Sequence, residues 1–229
     1  MMISGSNIFD AWLKAASEVQ ANGAGFPAYD TQWIKKHELK EVLNMVVEIR
    51  DPSLTRDEYD IVLETHPPVL LEWLDALWQC LDQAKIAKLL PELGYSYGQR
   101  LFSYRGVNQV KRVTDILKAR PWEWRASLTL YNPTEDDYHV AASPPCVGML
   151  DFKLRDDRLH LSVFCRAWDI GKKFVPDAIN LGKIHRDAAK EIGVGTGPMT
   201  LLVSSAHIYM RDAAIIQKAR EIRRGDEGK

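Results

Sequence analysis

Cys146 follows two prolines, in Ser143-Pro144-Pro145-Cys146, and opens an apolar run from Val147 to Phe152. The reactive form of a cysteine is its thiolate, and a nearby guanidinium favours that form. Arg166 stands twenty positions on, in Cys165-Arg166-Ala167-Trp168-Asp169, at the end of a second apolar run. Asp177 comes eight positions after Asp169, and a third run ends in Ser205-Ala206-His207-Ile208-Tyr209. Together these residue types suit covalent attack on a polar, hydroxyl-bearing ligand. Singly, each has an ordinary explanation. A lone cysteine is commonly a small buried apolar residue. Asp177, just after Pro176, fits a first-turn helix carboxylate. Arg125, beside Trp124, fits a stacked surface arginine. His207 and Tyr209 are two apart on a strand and so share a face. Glu72 and Asp75, on a tryptophan-rich stretch, are candidates for a general base, although helix carboxylates are usually solvated.

The elements that must position these groups are legible as periodicity. Apolar residues at helical spacing mark helices over 8–20, from Pro67-Pro68 through Leu81, over 107–119, 177–191 and 211–224. Proline suits the first turn of the second of these. Strands are expected over 41–49, 126–131, 147–154, 159–165 and 199–204, the last run ending at Tyr209. Arg155-Asp156-Asp157-Arg158 reads as a hairpin turn, Gly94 to Gly98 as an aromatic loop, and 132–137 as a polar loop. The tail from about residue 224 is expected to fray. Strands and helices without regular alternation argue an α+β fold.

At 229 residues the chain fits a single domain over 1–229. A net charge of −1 gives no electrostatic basis for nucleic-acid binding. No run is long and apolar enough for a bilayer, and the first residues lack a signal-peptide pattern, so a cytoplasmic protein is expected. Cys80, Cys146 and Cys165 are odd in number and widely spaced, against a disulfide framework or a zinc site.

In combination the segments resemble the thymidylate synthase family, including its cytidylate hydroxymethylase branch. The family spacing is Cys, nineteen residues, Arg, two, Asp, seven, Asn, twenty-nine, His-x-Tyr. Cys146, Arg166, Asp169, Asp177, His207 and Tyr209 reproduce every interval. The resemblance is good from Tyr97 to Tyr209 and slight before it, and the long folate-contacting C-terminal tail of the family is missing. It implies a mixed sheet flanked by helices, dimerising through the sheet. It implies that Cys146 adds to C6 of a pyrimidine, that Arg166 binds phosphate, and that Asp169 organises the base and folate sites. His207 and Tyr209 would bind the sugar, and Tyr97 would lie beside the reacting carbon. Arg125 matches an arginine reaching the partner's phosphate site in a homodimer, while Trp124 replaces the arginine before it. The implied co-substrate is 5,10-methylenetetrahydrofolate, without a metal.

Three positions depart from the family or match it loosely. Asp177 stands where thymidylate synthases have asparagine. A carboxylate accepts from a cytosine amino group and from a protonated N3, so the resemblance implies C5 hydroxymethylation of a cytidylate. In that reaction water, positioned by a carboxylate, adds to an exocyclic methylene. Ala167 replaces a phosphate-binding serine, which leans towards CMP over dCMP and towards the enzymes of nucleoside-antibiotic synthesis. The family's catalytic glutamate, three residues before a tryptophan, falls on Leu70 or Asp75. Glu72, directly before Trp73, is favoured, with Asp75 next. Thymidylate synthase proper and a non-catalytic nucleotide-binding homologue remain the other readings.

Overall fold

The structure, a computed structural model, describes residues 1–29, 36–137 and 143–227. Its frame is a mixed sheet. The strands are β1 (Met2–Asn7), β2 (Ala24–Tyr29), β3 (Lys36–Asp51), β4 (Ser127–Thr129), β5 (Val147–Arg155), β6 (Arg158–Cys165), β7 (Trp168–Asp169) and β8 (Gly195–Tyr209). Their order is β1-β3-β8-β6-β5-β4, with β2 also paired to β3 and β7 to β8. Antiparallel and parallel pairs mix, since β6 and β7 both run parallel to β8. The helices are α1 (Ile8–Asn22), α2 (Arg56–Thr65), α3 (Pro68–Gln79), α4 (Gln83–Leu89), α5 (Tyr97–Phe102), α6 (Gln109–Ala119), α7 (Phe174–Ile192) and α8 (Ala213–Glu227). This is the expected α+β class.

The topology brings the chemistry to one end of the sheet. β5 and β6 are joined by the hairpin expected at 155–158, where Asp156 and Asp157 both take positive φ, as a two-residue primed turn requires. Antiparallel pairing sets the start of β5 beside the end of β6, so Cys146 lies next to Arg166. Parallel pairing sets the ends of β6 and β8 together, and Asp169 stands in register with His207. Helix α7 begins just after β7 and carries Asp177 back over the same end.

Several elements differ from the sequence expectation. The strand expected over 199–204 is one fifteen-residue strand that starts at Gly195, because Gly195 and Thr196 already pair with β6; the ladder is irregular across Gly197 and Pro198 and resumes at Met199, where β3 joins from the other side. The strand expected over 126–131 is only Ser127–Thr129. Tyr97 is not in a loop but opens α5, capped by the Ser96 side chain. Gly98 permits this, since a Cβ there would stand 2.7 Å from the Trp78 carbonyl oxygen. Helix α7 begins at Phe174, ahead of Pro176, so Asp177 is inside its first turn. Strand β1 was not expected, because Met-Ile-Ser-Gly-Ser-Asn carries turn residues. Gly5 is needed there, as a Cβ would come within 2.5 Å of Ala11 on α1. Strand β2 and helices α2 and α4 were likewise not expected. Helix α8 continues through Glu227 rather than fraying at 224; residues 228–229 lie outside the described residues.

Two buried imidazoles make a prediction about the fold. His66 bonds only through Nδ1 and His185 only through Nε2, the latter to the Leu159 carbonyl oxygen at 2.6 Å. Burial pulls both down to about 4. Between pH 6.5 and 4 the unfolded chain therefore binds protons that the folded chain refuses. Stability should fall over that window, by up to about 3 kcal/mol for each histidine. Asp177, pushed up to about 6 by burial, works the other way and offsets a comparable amount as pH falls from about 6 to 4. The net expectation is a loss of about 3 kcal/mol between pH 6.5 and 4, read as a lower urea midpoint. A flat profile would show that the two imidazoles are not held neutral.

Candidate active site

The strand ends, α3 and the start of α7 enclose a cavity of about 410 Å³. Cys146, Arg166, Ala167, Asp169, Asp177, Tyr97, His207 and Tyr209 all line it. The structure thus brings together eight of the expected site residues, spread over 113 positions of sequence, from Tyr97 to Tyr209.

Cys146 is half-buried, and the Arg166 guanidinium lies 3.8 Å from its Sγ. That guanidinium is anchored by two backbone acceptors, the Pro145 oxygen at 2.9 Å and the Pro144 oxygen at 2.7 Å. The two prolines therefore shape the loop and also aim its carbonyls at the arginine. Burial nevertheless wins over the cations: it pushes the thiol up, against the downward pull of Arg166 and then Lys173. Tyr97 lies beneath the sulfur, and its hydroxyl oxygen accepts the Cys146 N–H at 3.1 Å. The phenol is buried edge-on to Trp78, with ring centroids 4.7 Å apart.

Asp177 is 7% exposed. Its Oδ1 accepts the Trp78 indole N–H at 2.7 Å and its Oδ2 the Trp168 indole N–H at 2.9 Å. Burial raises it to about 6, opposed first by the Trp78 hydrogen bond and then by Lys173 and Trp168. Asp169 accepts the Gly171 and Lys172 N–H groups on Oδ1, while its buried Oδ2 has no hydrogen-bond partner. Burial raises it as well. Beside it, burial keeps His207 below its ordinary range. His207 and Tyr209 face the cavity together, rings 5.3 Å apart at right angles, as the strand period requires.

Other expected residues are elsewhere. Glu72 and Asp75 are exposed and line a separate groove on the outer side of α3. The helix phase is the reason: Leu74 and Leu77 point into the cavity, so 72 and 75 point away from it. Leu70 is half-buried and also lies outside the cavity lining. Among the described residues, Asp169 and Asp177 are the only carboxylates lining the cavity. Arg125 is likewise outside the cavity of its own chain. It is exposed and makes a two-pronged pair with Glu123, at 2.8 Å on each prong, which draws that carboxyl down to about 2. Trp124 beside it is 73% exposed.

Sequence reasoning missed Trp78, Trp168 and Lys173. The indoles read as ordinary core residues. Lys173 reads as a lysine ahead of a helix, yet its ammonium lies 5.1 Å over the Trp73 ring at the cavity wall and acts on Cys146, Asp169 and Asp177 alike.

The mixed sheet thus gathers a cysteine, a guanidinium and two buried carboxylates at one end, around one cavity. The model of the family described as thymidylate synthase matches residues 3–226, so the chain belongs to the thymidylate synthase family, one-carbon transferases of nucleotide metabolism. The match extends the likeness well ahead of Tyr97, where the motifs alone stop. A Methanosarcina mazei protein named "Putative thymidylate synthase" is 26% identical over 217 residues, covering 94% of this chain and 93% of its own. A Methanothermobacter marburgensis protein of the same name is 28% identical over 215 residues, covering 90% and 92%. One from Methanocaldococcus jannaschii is 29% identical over 195 residues, covering 78% and 80%. The family uses methylenetetrahydrofolate as co-substrate and is generally dimeric. No helix among the described residues is long and apolar enough to cross a membrane.

Proposed function

We propose that the chain hydroxymethylates C5 of a cytidine 5′-monophosphate, CMP or dCMP. The observation that carries this reading is the Asp177 carboxylate, which faces the Cys146 cavity with both oxygens already accepting N–H groups. Such a group presents acceptors to a bound ring. Cytosine offers a 4-amino donor there, and a second donor when N3 is protonated; uracil offers O4, an acceptor. An ionised carboxylate therefore favours cytosine and repels uracil.

Cys146 Sγ adds to C6, and the electron pair of the C5–C6 bond makes C5 nucleophilic. Arg166 is the cation nearest the sulfur and supports its thiolate when substrate displaces water. Arg166 also suits the 5′-phosphate, with Arg125 of a second copy as a further cation. His207 and Tyr209 take the sugar hydroxyls. Methylenetetrahydrofolate, when bound, supplies a one-carbon unit at the oxidation level of formaldehyde. The apolar wall of Trp73, Leu74 and Leu77 and the Oδ2 of Asp169, which has no hydrogen-bond partner and lies 4.0 Å from the Lys172 ammonium, suit its ring and N–H groups. The new C–C bond would form at the folate's one-carbon unit; loss of the C5 proton with departure of tetrahydrofolate, as the methylene–nitrogen bond breaks, would leave an exocyclic methylene, water would add to it, and the Sγ–C6 bond would break. With Glu72 and Asp75 on the far side of α3, this reading assigns the orienting of that water to Asp169, which lines the cavity.

A homodimer through the sheet is part of the reading. Thr129, Met149, Phe164, Leu202, Val46 and Met2 pair strand to strand in one row across the sheet. Met149, Phe164 and Leu202 are each more than two-fifths exposed, an apolar band that association would cover. The relatives' names favour a second reading, methylation of dUMP.

The test is release of the C5 proton. With methylenetetrahydrofolate, CMP or dCMP should exchange at least about tenfold faster than dUMP, the ratio that about 1.4 kcal/mol of discrimination gives. Faster exchange with dUMP, accompanied by dihydrofolate absorbance, would favour the second reading. Running CMP and dCMP side by side decides the sugar.

A further inference from the structure

Asp177 is gripped from two sides by groups that can only donate. Trp78 comes from the last turn of α3, Trp168 from β7 and Asp177 from the first turn of α7, so three separate elements meet at one carboxylate. An indole nitrogen carries a proton and no available lone pair. Trp78 and Trp168 are 1% and 2% exposed, so solvent offers little to either N–H in place of the carboxylate. A carboxylate satisfies both. An amide cannot: whichever way it is turned, its NH2 faces one indole N–H, donor against donor, in a buried site.

We infer that Trp78 and Trp168 are specificity-determining positioning residues, which dictate a carboxylate at 177 and fix the plane in which it meets the bound ring. The base reader is then a three-residue unit, not Asp177 alone. Each carboxylate oxygen uses one lone pair on an indole and keeps the other. From Asp177 a bound ring therefore meets two fixed acceptors, the complement of a ring edge bearing two adjacent N–H groups, as in the protonated amidine edge of cytosine. This inference rests on Asp177 being the base reader, as proposed above. The other charged or titratable groups acting on Asp177 are Lys173, which favours the carboxylate, and Asp169, which opposes it. Tyr97 and Cys146 are coupled to it electrostatically in turn.

The test is a double-mutant cycle on the full chain, with Asp177→Asn, Trp168→Phe and their combination, and a parallel cycle with Trp78→Phe. The first readout is thermal unfolding, which needs no ligand. Asp177→Asn should lower Tm by about 5 °C in the native background, and by less than half of that once one indole donor is gone. Additive effects in both cycles would overturn the inference. The second readout is calorimetric titration with CMP and UMP. Asp177→Asn alone should lose CMP without gaining UMP. The double variant should shift the CMP-to-UMP ratio towards UMP by a further factor of about ten. A clean switch to UMP by Asp177→Asn alone, with Tm unchanged, would also overturn it. Coupled unfolding in a protein that prefers UMP from the start would remove the cytidylate reading while keeping the lock between the three residues. Cytidylate preference with additive unfolding would keep that reading and remove the lock.

Discussion

Cys146→Ser should lower C5 proton release from cytidylate by about four orders of magnitude or more while leaving nucleotide binding nearly intact. The site gives a serine hydroxyl nothing to work with. The charged group nearest Sγ is the Arg166 guanidinium at 3.8 Å, a cation that stabilises a thiolate but cannot remove an alcohol proton. Arg166, Asp177, His207 and Tyr209 are untouched by the change, so the contacts proposed for the nucleotide persist. Tritium release from C5 measures the loss, and calorimetry with CMP measures retained binding. The native protein adds a signature in pH. Because burial holds the Cys146 thiol above its ordinary range, release should climb steadily as pH rises from neutrality. Exchange by the serine variant within tenfold of the native rate would rule out covalent addition through this residue.

Arg166→Met is expected to reduce kcat/KM for cytidylate by about a thousandfold, through two separate losses. One is the cation at the sulfur, the largest influence drawing the thiol pKa down. The other is the contact proposed between this guanidinium fork and the substrate phosphate. Alkylation of Cys146 by iodoacetamide, followed by mass spectrometry of its own peptide, separates them. The pH at which alkylation reaches half its maximal rate should move up in Arg166→Met, with no nucleotide present. Cys165 is fully buried and should not compete. Arg166→Lys should recover part of the alkylation profile but little of kcat/KM, because an ammonium cannot reproduce the fork or hold both proline carbonyls. An alkylation profile unchanged in Arg166→Met would reduce the arginine to a backbone clamp.

Much of this site is legible in the sequence because strand and helix periods carry directional information. His207 and Tyr209 share a face whatever the fold, and both line the cavity. The Arg155–Arg158 turn fixes the pairing of β5 with β6, and that pairing places Cys146 beside Arg166. The failures occur where direction depends on helix phase or on an unusual partner. Glu72 and Asp75 sit on a helix that is amphipathic in more than one plausible phase. Only packing of Leu74, Leu77 and Trp78 inward turns those carboxylates to the outside. Tyr97 reads as a loop residue because its helix is six residues long and closes against α3 only through the Gly98 contact.

The sequence alone determined the chemistry available: a cysteine, its arginine, Asp169, Asp177 and the His-x-Tyr pair, at intervals that the fold must keep. Local spacing suffices for this, since each group is set by its own strand or turn. Only the tertiary structure decided how those groups are charged and held. Burial lifts the Cys146 thiol and the Asp177 carboxyl, and desolvation is a property of the whole enclosure, not of any segment. The two indoles that meet Asp177 lie 99 and 9 positions from it in sequence, so no periodicity links all three.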